Sequence, residues 1–105
     1  MNARLPQAWA VLEQALIQRR PVRAAYHGRQ RLLSPHALGW KNGRPKVLAY
    51  QADTTASSAN PHQQWRSMFV DEIENPVISD DPWETADNYS PNSNCIDKLK
   101  IAIPE

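Results

Sequence analysis

The stretch VRAAYHGRQRLLSPHALGWKNGRPKVLAYQ, residues 22–51, decides the fold of this chain. It alternates extended segments with short glycine-containing turns. His27-Gly28 predicts a tight turn, and Lys41-Asn42-Gly43 contains an Asn-Gly pair that favours a type I′ turn. The extended segments are residues 22–26, 30–34, 36–40 and 47–51. The stretch therefore predicts successive antiparallel β-hairpins.

An amphipathic helix is predicted ahead of these strands. Its apolar residues recur at spacings of four, three and four, which places them on one face of about four helical turns. They are Leu5, Trp9, Leu12 and Leu16. Pro6 suits the first turn, and Pro21 ends the helix because it lacks an amide donor and its ring clashes with the preceding turn. So short a helix is marginal alone, so its stripe is expected to pack on the strands.

The rest of the chain predicts a polar loop, two short strands, an irregular wrap over the domain and a last strand. In chain order these are residues 54–62, 64–70, 77–78, 79–94 and 98–103. The Asn75-Pro76 pair is expected to break the chain between the two short strands.

Together these elements predict a mainly β (α+β) fold: an N-terminal helix, a small five-stranded β-barrel and a wrapped C-terminal tail. Closure into a barrel removes exposed sheet edges. The 105 residues suit one domain. Within it we expect the helix in residues 1–20, the barrel in residues 21–78, and the acidic tail with the last strand in residues 79–105.

The charges of the chain are distributed unevenly. Residues 1–66 hold ten Lys/Arg against Glu13 and Asp53, or about +8, whereas residues 67–105 hold two lysines against nine acids, or about −7. The formal net charge of +1 hides this asymmetry. Two interpretations are open: a cationic face that attracts phosphates or another polyanion, or two halves that fold together and neutralise each other.

The remaining composition indicates a cytoplasmic protein. Cys95 is the only cysteine and cannot form an internal disulfide. No apolar run approaches the roughly 20 residues needed to cross a bilayer. The first residues are polar and amphipathic, unlike a secretory signal peptide.

Residues 22–73 resemble a WYL domain. The matching pieces are an apolar strand ending in Tyr26, the basic strand RQRLL at 29–33, the turn SPHAL at 34–38, the strand VLAY at 47–50 and WRSMFVDEI at 65–73. The Trp-Tyr-Leu triad that names the family falls on Pro45, Lys46 and Val47 in this chain. The resemblance implies an Sm-like, SH3-type barrel after a short helix, serving as a ligand-sensing or nucleic-acid-responsive module of bacterial regulators, several of them tied to phage defence.

The resemblance also implies a pocket on one barrel face, lined by polar and basic strand residues. In this chain these are Tyr26, Arg29, Arg31, His36 and Arg66. A guanidinium gives bidentate hydrogen bonds to phosphate, and a Tyr or His ring can stack on a base. The alternative for Arg31 and Arg66 is a surface ion pair with a downstream acid, and for Tyr26 a packed ring with a locally bonded hydroxyl.

The tryptophans and Asp71 have two interpretations each. Trp40 and Trp65 are candidate stacking platforms for bases, although tryptophan at a strand end is more often core. Trp9 is expected to pack the helix on the barrel, and Trp83 to hold the acidic tail. Asp71 is expected to bond backbone or to orient Arg66.

No catalytic, metal or cofactor site is predicted. The spacings of His27, His36, His62 and Cys95 match no compact zinc motif. The chain has no Gly-x-Ser-x-Gly elbow and no glycine-rich phosphate loop before a helix. The paired acids of the tail are typical of solvated side chains.

Three hypotheses follow. The first is a stand-alone WYL-like sensor or regulatory module that binds a nucleotide-containing ligand or single-stranded nucleic acid on its basic face. The second is a protein-interaction module, either a homodimer or an accessory subunit of a larger regulator or defence enzyme, docking through apolar strand edges and the Trp83 region. An enzyme is third. Steep salt dependence of oligonucleotide binding favours the first, and a salt-insensitive protein complex the second.

Overall fold

A computed structural model describes residues 4–51, 64–87, 89 and 96–103 of the chain. The elements are one helix, six strands and a 3-10 turn. They are α1 Arg4–Gln18, β1 Val22–Tyr26, β2 Arg29–Lys41, β3 Arg44–Gln51, β4 Trp65–Phe69, the 3-10 turn Val70–Glu72, β5 Ile73–Ile78 and β6 Lys98–Ala102. The predicted loop at 54–62, His62 and Cys95 lie outside the described residues.

All six strands belong to one antiparallel sheet with the order β4-β3-β2-β1-β5, and β6 pairs with β2. The predicted α+β class is confirmed. The sheet has six strands rather than five because the last strand of the tail joins it. Within the described residues β4 and β5, at the two ends of this order, do not pair with each other, so the sheet is open there.

Strand β2 is the centre of the fold. Two predicted segments, 30–34 and 36–40, form one strand of 13 residues that pairs with β1 through its first half and with β3 and β6 through its second. The pairing with β3 shifts register between Pro35 and Ala37. A β-bulge at this point explains how β2 contains a proline, which has no amide to donate to a regular ladder.

Both predicted hairpin turns are present. His27 and Gly28 have φ of 51° and 78°, and Asn42 and Gly43 have φ of 53° and 78°. A type I′ turn needs positive φ at both central residues, which glycine and asparagine adopt most readily. These local requirements explain why the sequence alone located the turns.

Strand β5 corrects one expectation. Asn75-Pro76 lies inside β5 rather than before it, and the strand begins at Ile73. Asn75 has φ of 51°, and the pairing with β1 shifts register between Arg23 and Ala25. This irregularity absorbs the proline without ending the strand.

The main core lies between α1 and the sheet. Side chains from the helix and from five strands are at most 9% exposed there, including Leu12, Leu33, Leu38, Val47 and Ile73. Ser79 donates its amide to the Pro21 carbonyl at 2.8 Å, which starts the C-terminal segment beside the end of α1. Trp9, Leu12 and Leu16 of the predicted stripe thus pack in this core.

A second, smaller cluster uses the alternate residues of β3 and β4. Val47 and Ala49 oppose Met68 and Arg66, whereas Leu48 and Tyr50 oppose Ser67 and Trp65. Because successive strand residues point to opposite sides, the second set faces away from the main core. Leu48 packs there with Ala37 and Ile96.

Candidate ligand-binding surface

Four basic side chains of the N-terminal half form ion pairs with acids of the C-terminal half. The pairs are Arg20–Asp80, Arg23–Asp81, Lys41–Asp97 and Arg44–Asp71. For these residues the second interpretation of the charge asymmetry therefore holds: the two halves of the chain neutralise each other. A phosphate-binding face must be sought among the other cations.

Arg44 is the most heavily engaged of the four. Its Nε and Nη2 donate to the two carboxylate oxygens of Asp71 at 3.0 and 2.9 Å, Nη2 also reaches Glu72, and the guanidinium lies 3.7 Å from the Phe69 ring centre. Its hydrogen bonds to the two carboxylates raise the pKa of Arg44. Hydrogen bonds from His27 and then Arg44 lower the pKa of Glu72. The Asp71 side chain thus orients Arg44, whereas the sequence suggested that it bonds backbone or orients Arg66.

Arg29 and Arg31 differ from those four. Arg29 is exposed, and Arg31 is half-buried beside Tyr26, with its guanidinium carbon 5.4 Å from the ring centre. Arg31 Nη1 donates to Gln51 Oε1 at 3.1 Å, and its buried Nε has no acceptor in the described part of the chain. Neither arginine forms an ion pair with a described carboxylate.

The strand register places Arg66 on the same side of the sheet as Arg31. Leu33 opposes Gln51 and Ala49 opposes Arg66. Directly opposed residues share a side, as do residues two apart on one strand, so Arg31 and Arg66 lie on the same side, on strands separated by β3. Arg66 Nη1 donates to the Trp65 carbonyl at 3.0 Å. Arg29, Arg31 and Arg66 are called the basic surface below.

Tyr26 borders the basic surface but is a packed side chain. It is 7% exposed, its hydroxyl accepts the Phe69 amide at 3.3 Å, and its ring stacks on His27 with a centroid distance of 4.0 Å. Burial raises the pKa of Tyr26. Its ring packs against the Arg31 guanidinium, so Tyr26 positions Arg31 instead of contacting a ligand itself.

His36 does not join the basic surface. It is 1% exposed and lies at the centre of an aromatic cluster with Trp65, Trp83 and Tyr89, at ring-centre distances of 4.7, 4.6 and 5.0 Å. Nδ1 donates to the Ser34 carbonyl at 2.7 Å, so in the neutral ring Nε2 accepts from the Thr85 hydroxyl at 2.8 Å. Burial lowers the pKa of His36 to about 4. These four rings and Tyr50, which packs on Trp65, are called the His36 cluster.

The two candidate stacking tryptophans have ring partners within the protein. Trp65 stacks on Tyr89, with ring centres 5.5 Å apart, inside the His36 cluster. Trp40 stacks on Trp9 of α1 at 5.1 Å and 28° and remains half-buried. Trp83, expected to hold the tail, contacts His36.

An open pocket that the sequence did not indicate lies beside Trp40. Its volume is about 310 Å³. It is lined by Trp40, Asn42, Gly43, Asp97 and Lys98. Asp97 and Lys98 are more than 50 residues from the hairpin, so no local spacing could associate them with Trp40.

Two further observations concern the described part of the chain. It contains no group of three or more His, Cys, Asp or Glu side chains placed to hold a metal ion. It also contains no helix that is both long enough and apolar enough to span a bilayer.

No protein-family model matches the chain, and no curated protein matches its sequence. The likeness to WYL domains therefore rests on the residues quoted for it and stays a prediction.

Proposed function

We propose that this protein is a non-catalytic binding module whose basic surface holds the phosphates of single-stranded nucleic acid or of a nucleotide-containing ligand. The observation that carries the proposal is the contrast among the arginines. Arg20, Arg23 and Arg44 are neutralised by carboxylates, whereas Arg29 and Arg31 have none within the described residues. Two uncompensated guanidinium groups on one strand form a local cationic site.

The surroundings of Arg31 favour a phosphate over a simple counterion. Gln51 and the Tyr26 ring hold the guanidinium plane. A planar fork fixed before the ligand arrives loses little conformational freedom on binding. Arg66, on the same side of the sheet, extends the surface across β3 towards β4.

The proposal includes the family and its context. We propose a WYL-like regulatory module of the cytoplasm, with an Sm- or SH3-type barrel and a role in transcriptional regulation or phage defence. The helix ahead of the sheet, the two tight hairpins and the long bulged β2 support it. A long central strand that pairs with β1, β3 and β6 and shifts register along its length is expected in such barrels, where bulges help the sheet to curve.

The test is binding of a short single-stranded oligonucleotide to arginine variants. Arg31→Ala or Arg66→Ala should weaken binding by about 1.5–3 kcal/mol, the usual effect of removing a charge-assisted contact. Arg31→Lys keeps the charge and loses the fork, so a bidentate site should still lose most of its affinity. Fluorescence anisotropy at several salt concentrations measures both affinity and salt slope.

Arg20→Ala is the matched control because Arg20 is already paired with Asp80. It should weaken binding only slightly. Equal losses for all three alanine variants would show a diffuse cationic surface instead of a site. Absence of binding at low salt would reject the proposal.

A second candidate, a protein-interaction module, is favoured by strand β6. This strand pairs with β2 alone within the described residues, and Leu99 is 40% exposed on it. An edge strand with an exposed leucine can pair with a second copy of the chain. Light scattering over a range of protein concentrations would detect such a dimer, which Leu99→Ser should weaken and added salt should not.

A further inference from the structure

The pocket beside Trp40 is built by residues far apart in the sequence and held firmly in place. Gly39 permits the approach of β6 to β2, because a Cβ there would lie 2.1 Å from the Lys98 carbonyl oxygen. The Asp97 amide then donates to the Trp40 carbonyl at 2.8 Å. The position of the pocket residues is thus fixed by backbone contacts between β2 and β6.

The aromatic wall of the pocket is fixed from behind. Trp9 of α1 stacks on Trp40, so the indole is anchored to the helix and not free to turn. A fixed, half-buried indole offers a planar ring a stacking partner at low entropic cost. The pocket volume of about 310 Å³ is at the lower end of the range for small-molecule sites.

Asp97 supplies a charged acceptor at the pocket wall. Its Oδ2 accepts the Asn42 amide at 2.8 Å, and its Oδ1 accepts Lys41 Nζ at 3.0 Å. These two hydrogen bonds, the amide first, lower the pKa of Asp97, so it is ionised at neutral pH. Each carboxylate oxygen accepts more than one hydrogen bond, so an N–H group of a ligand can be added.

The charges around the pocket decide between ligand classes. A cation would suit an indole and a carboxylate, but Lys98 already lies over the Trp40 ring, with Nζ 5.9 Å from its centre. Lys41 pairs with Asp97 from the other side. Two ammonium groups against one carboxylate leave the rim positive, which disfavours a cationic ligand and favours a planar one that carries a phosphate.

We propose that this pocket binds a guanine nucleotide, whose base displaces the exposed Lys98 side chain from the Trp40 face opposite Trp9 and stacks there. The N–H edge of the base donates to Asp97, and the displaced Lys98 ammonium pairs with the phosphate. Guanine fits best because its ring N–H and amino group lie side by side and can reach a carboxylate together. The pocket lies at the β2–β3 hairpin, whereas Arg31 belongs to the opposite half of β2. It is a second site, separate from the basic surface.

The test is calorimetric titration of the whole chain with guanosine 5′-monophosphate, inosine 5′-monophosphate and ribose 5-phosphate at low salt. Inosine 5′-monophosphate differs from guanosine 5′-monophosphate in lacking the amino group. It loses one hydrogen bond to a charged acceptor, so its affinity should be lower by about 10-fold or more. Ribose 5-phosphate has no base to stack and should bind at least about 10-fold more weakly than the guanosine compound.

Variants assign the roles of the pocket residues. Asp97→Asn keeps an oxygen for the Asn42 amide but removes the charge, so it should abolish the preference for guanosine over inosine. Trp40→Leu should remove binding of both nucleotides, whereas Trp40→Phe, which retains a ring, should keep part of it. Lys98→Gln should weaken binding several-fold, and Lys100→Gln, on the same strand but outside the pocket, should not.

Equal affinity for the three ligands would overturn the proposal, since only the phosphate would then be recognised. So would tighter binding of trimethyl-lysine than of the nucleotides. Arg31→Ala separates this site from the basic surface: it should weaken oligonucleotide binding and leave guanosine monophosphate binding unchanged. If nucleotide binding fails while the oligonucleotide still depends on Arg31, the pocket assignment alone is wrong.

Discussion

The main core and the His36 cluster lie against the same sheet but are covered by different kinds of chain segment. The main core is mainly aliphatic and is covered by α1, a helix whose interior backbone groups bond within the helix, so apolar contact suffices along most of its length. The His36 cluster is covered by residues 79–87 and Tyr89, a segment with no helix or strand. Its backbone needs partners elsewhere.

Polar side chains supply those partners in the His36 cluster. Ser34 Oγ accepts the Glu84 amide at 3.2 Å, and Ser79 Oγ accepts the Asp81 amide at 3.1 Å. The Tyr89 hydroxyl ties the segment to its neighbours, lying 3.1 Å from the His36 carbonyl and 2.7 Å from that of Ile103. Large rings fill the remaining space. An irregular covering segment therefore requires aromatic and hydrogen-bonding residues where a helix requires only leucine and alanine.

The strongest way to break the main core is Leu12→Ala. Leu12 is fully buried between α1 and the sheet, so the substitution removes apolar burial and leaves a cavity. We expect a loss of about 2–5 kcal/mol in the free energy of unfolding, measured by urea denaturation. Ile17→Ala on the same helix is the control: Ile17 is 62% exposed, and its loss should stay within about 0.5 kcal/mol. Similar losses for both would contradict this assignment of the helix faces.

Acidification should act on the His36 cluster. Because the pKa of His36 is about 4 in the fold and near 6.5 in the unfolded chain, the unfolded chain takes up the proton first as the pH falls. The contribution of His36 is thus complete above about pH 6.5 and decreases below it, by about 2 kcal/mol at pH 5 and about 3 kcal/mol at pH 4. Urea denaturation at pH 7.5, 6, 5 and 4 measures this.

His36→Asn isolates that effect from the other titrating groups. Its amide can still donate to the Ser34 carbonyl but does not titrate. The variant should be less stable than the parent at pH 7.5, with a smaller decrease towards pH 5. Parallel pH profiles for the two proteins would show that His36 is not the source.

Gly39→Ala tests the attachment of β6 to the sheet. The added methyl group would overlap the Lys98 carbonyl, a backbone atom that moves only if the strand moves. We expect a loss of roughly 1–3 kcal/mol, with faster amide hydrogen exchange in β6 than in β1. Unchanged exchange in β6 would contradict this pairing.

Tyr89→Phe should have the smallest effect. It removes one hydroxyl that bonds the backbone carbonyls of His36 and Ile103 and retains the ring, so about 1 kcal/mol should be lost. Tyr50→Phe is the matched control, because the Tyr50 ring packs on Trp65 and its hydroxyl makes no hydrogen bond within the described residues. If the two variants lose the same free energy of unfolding, the hydrogen bonds of the Tyr89 hydroxyl do not stabilise the fold.

Features set by neighbouring residues were predictable from the sequence. The helix stripe, the turns at His27-Gly28 and Asn42-Gly43, and the strand Val22–Tyr26 all depend on local spacing and backbone preference. The extension of β5 through Pro76 was not predictable, because the bulge that tolerates the proline depends on pairing with β1, some 50 residues earlier.

The candidate sites depended still more on distant residues. Composition could not decide whether the cationic half binds a ligand or its own acids, since ion pairs such as Arg23–Asp81 join residues 58 positions apart. The resemblance to WYL domains implied that His36 contacts a ligand, but Trp83, Thr85 and Tyr89 surround its ring and it is 1% exposed. The side of the sheet on which each arginine lies became clear only from the register.

The bulge at Asn75-Pro76 has a consequence for association between molecules. Strand β5 ends the β4-β3-β2-β1-β5 order of the sheet, and its outer row of backbone groups is the kind of surface on which an unrelated chain can add a strand. Pro76 offers no N–H to such a strand, and the positive φ of Asn75 turns the backbone out of line. The bulge that interrupts the pairing of β5 with β1 thus also makes the outer edge of β5 a poor template for aggregation.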